Sequence, residues 1–341
     1  MHWFIKGGDF NLLVDRLIQE KRVVGPVAKK TKFVFEDLRS SKELRLDHDV
    51  TIIPPKKAIF PTTQNLFKFD GSTVQMAVKP IDQVLLGVHF YDVKAIDMLD
   101  QIFSDGHPDE NYLAQRERTT LVASNIQKVS PRAFFATVAT ALKPNGHDAF
   151  LTKLPSGFVF ETRSKKGEAL LSFGKFRKAT QPEVKKAGRI NENVLSKCRE
   201  KLTHTSEEIA KSVRGQFGNE LLWKTLSKTC FSCGTCNIVC PTCQCFDVQD
   251  DWNVDQKSGV RYRTWDACQT QDFALETLGA GGFHNSRPER FERYRHRALR
   301  KTSYLIEKLG GPACVGCGRC SVGCVPDIAD PVRIVEQVME S

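Results

Sequence analysis

No cysteine occurs in the first 197 residues of this 341-residue chain. All twelve stand at or after Cys198, and eleven fall between Cys230 and Cys324. Disulfide frameworks belong to short secreted chains, so this distribution excludes one. No apolar run approaches the roughly 18–20 residues of a membrane span. The opening stretch MHWFIKGGDFNLLVDRL lacks the basic start, unbroken apolar core and small-residue cleavage site of a secretory signal. A cytoplasmic location is therefore expected. There is no low-complexity tract, and no repeat beyond two cysteine runs. A nucleotide-binding fingerprint is missing too: Gly279-Ala280-Gly281 opens like G-x-G-x-x-G, but its last position is His284 and no strand precedes it. No nucleophile–base set is visible, and the His and Asp residues of the first half read as structural. The chain is not expected to carry out bond chemistry by itself.

What remains is a globular composition, 40% hydrophobic and 26% charged, with a formal net charge of +10. The length suffices for two domains. Residues 1–180 read as an α+β domain. Asp9 caps a helix with Phe10, Leu13, Val14, Leu17 and Ile18 at helical spacing. Strands are expected near 23–27, 32–35 and 43–46. IIPPKKAIFP should be irregular and extended, because it holds three prolines. QVLLGVHFYDVKAIDMLDQIF reads as a strand running into a helix capped at Asp92, and AFLTKLPSGFVFET as a hairpin turning at Pro155-Ser156-Gly157. From residue 181 to 341 the pattern is helical. Thr205 with Glu208 makes a capping box ahead of a buried stripe of Ile209, Val213 and Phe217. Ser286 with Glu289 opens a helix carrying Phe291, Tyr294, Leu305 and Leu309, which Gly310-Gly311-Pro312 ends.

The cysteines carry the chemistry. Cys230, Cys233, Cys236 and Cys240, followed by Pro241, have the spacing C-x2-C-x2-C-x3-C-P. Cys314, Cys317, Cys320 and Cys324 repeat it, although the proline comes one residue late, at Pro326. This is the run of bacterial two-cluster ferredoxins, in which the fourth cysteine ligates the other cluster. Three thiolates two residues apart wrap three corners of an iron–sulfur cube; the fourth begins the next segment and points away. One 4Fe–4S cluster is therefore expected on Cys230, Cys233, Cys236 and Cys324, and a second on Cys314, Cys317, Cys320 and Cys240. Gly234, Gly316 and Gly318 let the backbone fold close around them. Zinc ribbons use two C-x2-C pairs for four ligands, which two runs of four suit poorly. The fold expected is thus an N-terminal mixed α/β domain followed by a helical domain containing a two-cluster ferredoxin-like core.

Cys243, Cys245 and Cys268 lie outside both runs, and Cys198 stands alone upstream. For these, three readings stay open: a third cluster, a redox-active thiol pair, or small buried residues packed near the clusters. RPERFERYRHRALRK holds six arginines and Lys301, interleaved with Phe291, Tyr294 and His296. Such a mixture can bind nucleic acid. Its position just before Cys314 instead points to cations that balance anionic clusters or dock a partner, and no nucleic-acid partner is expected. His284 reads as a turn residue, and Trp265 and Asp266 as packing against the cluster core.

In order, CFSCGTCNIVCPTCQCFDV, RYRTWDACQ, RYRHR and CVGCGRC resemble the iron–sulfur β subunit of sulfhydrogenase-type nickel–iron hydrogenases. They are similar as well to the 4Fe–4S dicluster electron-transfer subunit of anaerobic sulfite reductase. PPKKAIFPTTQNLFKF, GVHFYDVKAIDMLDQIF and HDAFLTKLPSGFVFET extend the resemblance over nearly the whole chain. It implies an electron-transfer subunit in a hetero-oligomer, placed between a flavoprotein that handles NAD(P)H, which carries the flavin, and a catalytic redox subunit. Two departures stand out. Tyr91 sits where many members carry a cysteine before the aspartate matching Asp92, and ASNIQKVSPRAFFATVAT has none of the cysteines common there. An extra metal site built at those positions should be absent here. The competing class is a catalytic iron–sulfur or thiol redox enzyme, or a redox sensor, using Cys243, Cys245 or Cys268.

Overall fold

The computed structural model describes residues 1–139, 144–279 and 281–341. Thr140, at the end of ASNIQKVSPRAFFATVAT, and Ala280, in the glycine stretch, lie outside the described residues. Two units separate. The first comprises residues 1–60, 80–199 and 315–317; the second comprises 61–79, 200–314 and 318–341.

The first unit is built on an eight-stranded mixed sheet. In spatial order its strands are Arg177–Lys178, His2–Lys6, Gly157–Thr162, Ala149–Leu154, Thr119–Ser124, Gln83–His89, Arg22–Lys29 and Lys32–Asp37. The three central pairings are parallel and those toward both edges antiparallel. Gln83–His89 is buried along its whole length, as a central parallel strand must be. The expected hairpin forms, with Leu154 opposite Gly157. The expected first helix forms as Gly7–Glu20 and lays Phe10, Leu13, Val14 and Leu17 into the core. Its start differs from the expectation: Lys6 is the cap and Asp9 lies in the first turn, where its charge favours the helix dipole. Asp92 likewise lies inside the first turn of Phe90–Ser104, buried, with His89 as cap. Residues 43–46 form no strand: Glu43 ends a short 3-10 turn, Ser41–Glu43, capped by Ser40, and the residues after it are irregular. The proline-rich stretch is irregular except for one 3-10 turn, Pro55–Ala58, started by proline where its missing N–H costs nothing.

The second unit packs helices around Ile209, Val213, Trp223, Phe291, Leu299 and Val335. The Thr205–Glu208 capping box is present at the head of Ser206–Gly215. Phe217 falls after that helix and is exposed, with the Arg295 guanidinium stacked over its ring at 3.9 Å. The second box is shifted: Glu289 pairs with Glu292, not Ser286 with Glu289, and the helix is Arg290–Thr302. Leu309 belongs to a separate turn, Ile306–Leu309, stopped by left-handed Gly310. The unit also contains a four-stranded sheet in the order Phe246–Trp252, Gly259–Trp265, Thr63–Phe69, Val74–Met76. In Phe246–Trp252 charges fall on both faces, Asp250 on one and Asp247 and Asp251 on the other, and hide the alternation that would announce the strand. Among the described residues no helix is long and apolar enough to cross a membrane.

Candidate iron–sulfur centre

The first cysteine run is a tight loop leading into one short helical turn, Thr235–Ile238. Gly234 caps that turn in the left-handed region, at φ 71°, and a Cβ there would stand 2.6 Å from the Ala267 side chain. Ser232 is left-handed as well, at φ 53°, and its N–H points to Cys230 Sγ at 3.4 Å. In the second run, Gly318 caps Arg319–Gly323 at φ 75°. Gly316 is also left-handed, at φ 65°, and its carbonyl accepts the Phe134 N–H at 2.8 Å. A Cβ on Gly316 would meet Phe135 N at 2.5 Å, which is backbone and cannot swing aside. Gly316→Ala is therefore expected to cost at least 1–3 kcal/mol, roughly, combining strain and clash. Gly311→Ala, where a Cβ meets nothing within 4 Å, should be nearly silent. Thermal unfolding of the two variants side by side checks this.

Cys230, Cys233, Cys236 and Cys324 line one narrow cavity of about 30 Å³, together with Arg297 and Tyr294 and no carboxylate. The structure thus brings the fourth cysteine of the second run to the first three of the first run. Hydrogen bonds from the Thr235 hydroxyl and N–H hold the exposed Cys233 thiol below the usual range. Burial pushes Cys236 up to about 12, and Arg297 pulls the other way. Cys240 is buried, with its sulfur 3.3 Å from Thr242 Oγ1. Its charge also bears on Cys320, which burial raises. Cys314 is half-buried; Cys317 is buried and belongs to the 315–317 stretch counted with the first unit.

The helix Arg290–Thr302 supplies the electrostatics. Arg293, Arg297 and Lys301 are spaced four apart, so they share one helix face, and all three are buried. Arg293 donates to the carbonyls of Gln269, Arg287 and Pro288. Lys301 Nζ donates to Thr242 Oγ1 at 2.8 Å, and Thr242 Oγ1 donates on to the Ala313 carbonyl. Arg297 reaches the Cys236 carbonyl, at 3.5 Å, and its Nε has no hydrogen-bond partner among the described residues. Burial alone would pull Arg297 and Lys301 down. The thiols of Cys236, Cys320, Cys243 and Cys240 raise Arg297 nevertheless, and those of Cys240, Cys243 and Cys314 raise Lys301. No carboxylate stands among these leading influences on either cation. An uncompensated buried ion costs several kcal/mol, so the site is built to hold negative charge.

That donor set fits thiolate-ligated iron. Among the described residues no group of three His, Cys, Asp or Glu side chains is placed to share a single metal ion. A four-iron cube sets a different requirement, because each thiolate binds its own corner. The 4Fe-4S dicluster domain family matches residues 229–328. Over 328 residues the chain is 32% identical to sulfhydrogenase 2 subunit beta of Pyrococcus furiosus, covering 96% of this chain and 95% of that relative. The chain belongs to the sulfhydrogenase β-subunit family. No solved structure matches it. As a member of this family it is an iron–sulfur electron-transfer subunit, and its dicluster domain carries two 4Fe–4S clusters.

Against the sequence expectations, His284 is exposed on the short strand Phe283–Asn285 and does not line the cysteine cavity. Trp265 ends Gly259–Trp265, and the Asp266 N–H donates to the Cys245 carbonyl at 3.0 Å. Three contributors went unnoticed in the sequence: Asn237 and Thr242, which hold the sulfurs, and the shared face of Arg293, Arg297 and Lys301. The four-residue spacing of those cations was the available signal.

Proposed function

We propose that this subunit relays single electrons between a cytoplasmic flavoprotein that oxidises or reduces NAD(P)H and a catalytic redox subunit of hydrogenase or sulfite-reductase type. One cluster would be held by Cys230, Cys233, Cys236 and Cys324, the other by Cys314, Cys317, Cys320 and Cys240. Each cluster, when bound, takes up and returns one electron, which divides hydride chemistry on a flavin into single steps.

The observation that supports the reading best is Arg297. This one buried guanidinium lies within electrostatic reach of Cys236 from the first set and of Cys320 and Cys240 from the second. That cysteines from both proposed sets act on one cation supports closely spaced stations for a relay. Cys233, exposed at the edge of its set, offers the approach for a partner. The relative's name, a sulfhydrogenase β subunit, points to the same kind of assembly.

Native isolation of the tagged chain under strictly anaerobic conditions tests this. The expected result is co-purification of two partners, one bearing flavin and the other a catalytic metal, with NAD(P)H-linked turnover lost when this chain is omitted on reassembly. Recovery of the chain alone, fully loaded with iron and turning over a substrate by itself, would refute it.

A further inference from the structure

A second and larger cavity, of about 270 Å³, lies in the helical unit. Its wall contains three of the four cysteines that neither run of four uses: Cys243, Cys245 and Cys268. Local structure explains their meeting. Phe246–Trp252 and Gly259–Trp265 pair antiparallel with Phe246 opposite Trp265. Cys245 immediately precedes the first strand and Cys268 follows the second, so both stand at the same end of the hairpin. The Asp266 N–H bond to the Cys245 carbonyl pins that end. Asp266 Oδ1 in turn accepts from the Ala267 N–H at 2.6 Å and from the Thr270 hydroxyl at 3.2 Å, which fixes the turn carrying Cys268. Cys243 arrives from the loop after Pro241. The buried Asn237 amide gathers the sulfurs, donating to Cys268 Sγ at 3.0 Å and to Cys243 Sγ at 3.7 Å.

The lining is also cationic. Arg297, Arg300 and Lys301 belong to it, and no Asp or Glu does. Arg297 is 5% exposed, and among the described residues its Nε has no hydrogen-bond partner. Plain packing of small side chains does not account for this arrangement. Packed cysteines fill space, whereas these border a cavity near the lower end of the small-ligand range. A dithiol pair needs two sulfurs and no counter-charge. Three thiols and three cations lining one cavity match a bound anion held through sulfur.

We propose that Cys243, Cys245 and Cys268 hold a third iron–sulfur cluster in this cavity. Arg297, Arg300 and Lys301 compensate its charge, and Asn237 orients two of its thiolates. The inference stands apart from the relay reading and from how the two runs share their fourth cysteines.

The test is iron and acid-labile sulfide per chain in anaerobically reconstituted full-length protein, with Mössbauer and EPR spectra. Two four-iron clusters account for about eight irons. The proposal expects about eleven or twelve, with a third spectral component. In the triple variant Cys243→Ala, Cys245→Ala, Cys268→Ala, that increment and that component should vanish while about eight irons remain. About eight irons in the wild-type chain overturns the proposal whether or not the variant folds. So does an unchanged count in the folded variant. One equivalent of zinc with about eight irons, or a Cys245–Cys268 disulfide mapped by mass spectrometry in the anaerobic protein, assigns the cavity otherwise and overturns it as well.

Discussion

Cys230→Ala combined with Cys324→Ala should lose no more iron than either substitution alone, whereas Cys230→Ala combined with Cys240→Ala should lose both of the dicluster domain's clusters. This follows if each run lends its fourth cysteine to the other. Cys230, Cys233, Cys236 and Cys324 line the same cavity, so removing two of them damages one site twice. Cys240 acts electrostatically on Cys320, a member of the other run, so its loss damages the second site. Each single variant should drop the eight-iron complement by about half, and the Cys230/Cys240 pair should abolish it. Electron flow through the reassembled complex should fall by orders of magnitude in every case, since a relay with one missing station is interrupted. The iron pattern carries the decision, because it is non-additive in opposite ways under the two connectivities. If the Cys230/Cys240 variant keeps half of its iron and the Cys230/Cys324 variant keeps none, each run binds its own cluster and the crossed assignment is wrong. Far-UV circular dichroism on the same samples separates loss of a site from loss of the fold.

Much of this site is written in the order of the cysteines, and much of its surroundings is not. The spacing of Cys230, Cys233 and Cys236 announces a cluster because a ligand loop is a local object, fixed by a few residues and by glycines that accept left-handed backbone. Gly234, Gly316 and Gly318 all have positive φ, as that reading requires. The buried strand Gln83–His89 and the helix Gly7–Glu20 were legible for a similar reason: one burial pattern each, repeated without interruption. Helix starts were less legible. Asp9, Asp92 and Ser286 are all good capping residues, yet the chain begins each helix elsewhere, because tertiary packing of the apolar face sets the phase and the cap is worth only about 1 kcal/mol. The sheet formed by Thr63–Phe69 and Gly259–Trp265 was hidden for another reason. It pairs residues almost 200 positions apart, with Arg263 hydrogen-bonded to Gln64 across the pairing. No local pattern announces such a contact. The same holds for the meeting of Cys245 with Cys268, which exists only because that hairpin closes.

Lys301→Met should lower the reduction potential of the cluster assigned to the Cys240 set by on the order of 85 mV, while Lys301→Arg leaves it nearly unchanged. Lys301 is buried, donates to Thr242 Oγ1 at 2.8 Å, and that oxygen lies 3.3 Å from Cys240 Sγ. Cys240 heads the charges that raise Lys301 against the burial that lowers it. A fixed cation favours whichever redox state is more negative, which is the reduced one, so its removal makes reduction harder and the potential falls. With an effective dielectric near 20 and a separation on the order of 8 Å, the Coulomb energy is about 2 kcal/mol. For one electron that is about 85 mV. Methionine preserves most of the side chain's volume and removes only the charge, and deleting a buried cation also removes its desolvation cost. The folded state should therefore tolerate the change far better than it tolerates loss of a ligand. Anaerobic potentiometric titration followed by EPR reads the shift directly. A potential that stays put in Lys301→Met, or moves equally in Lys301→Arg, would mean that the helix face of buried cations serves packing and not the poise of the relay.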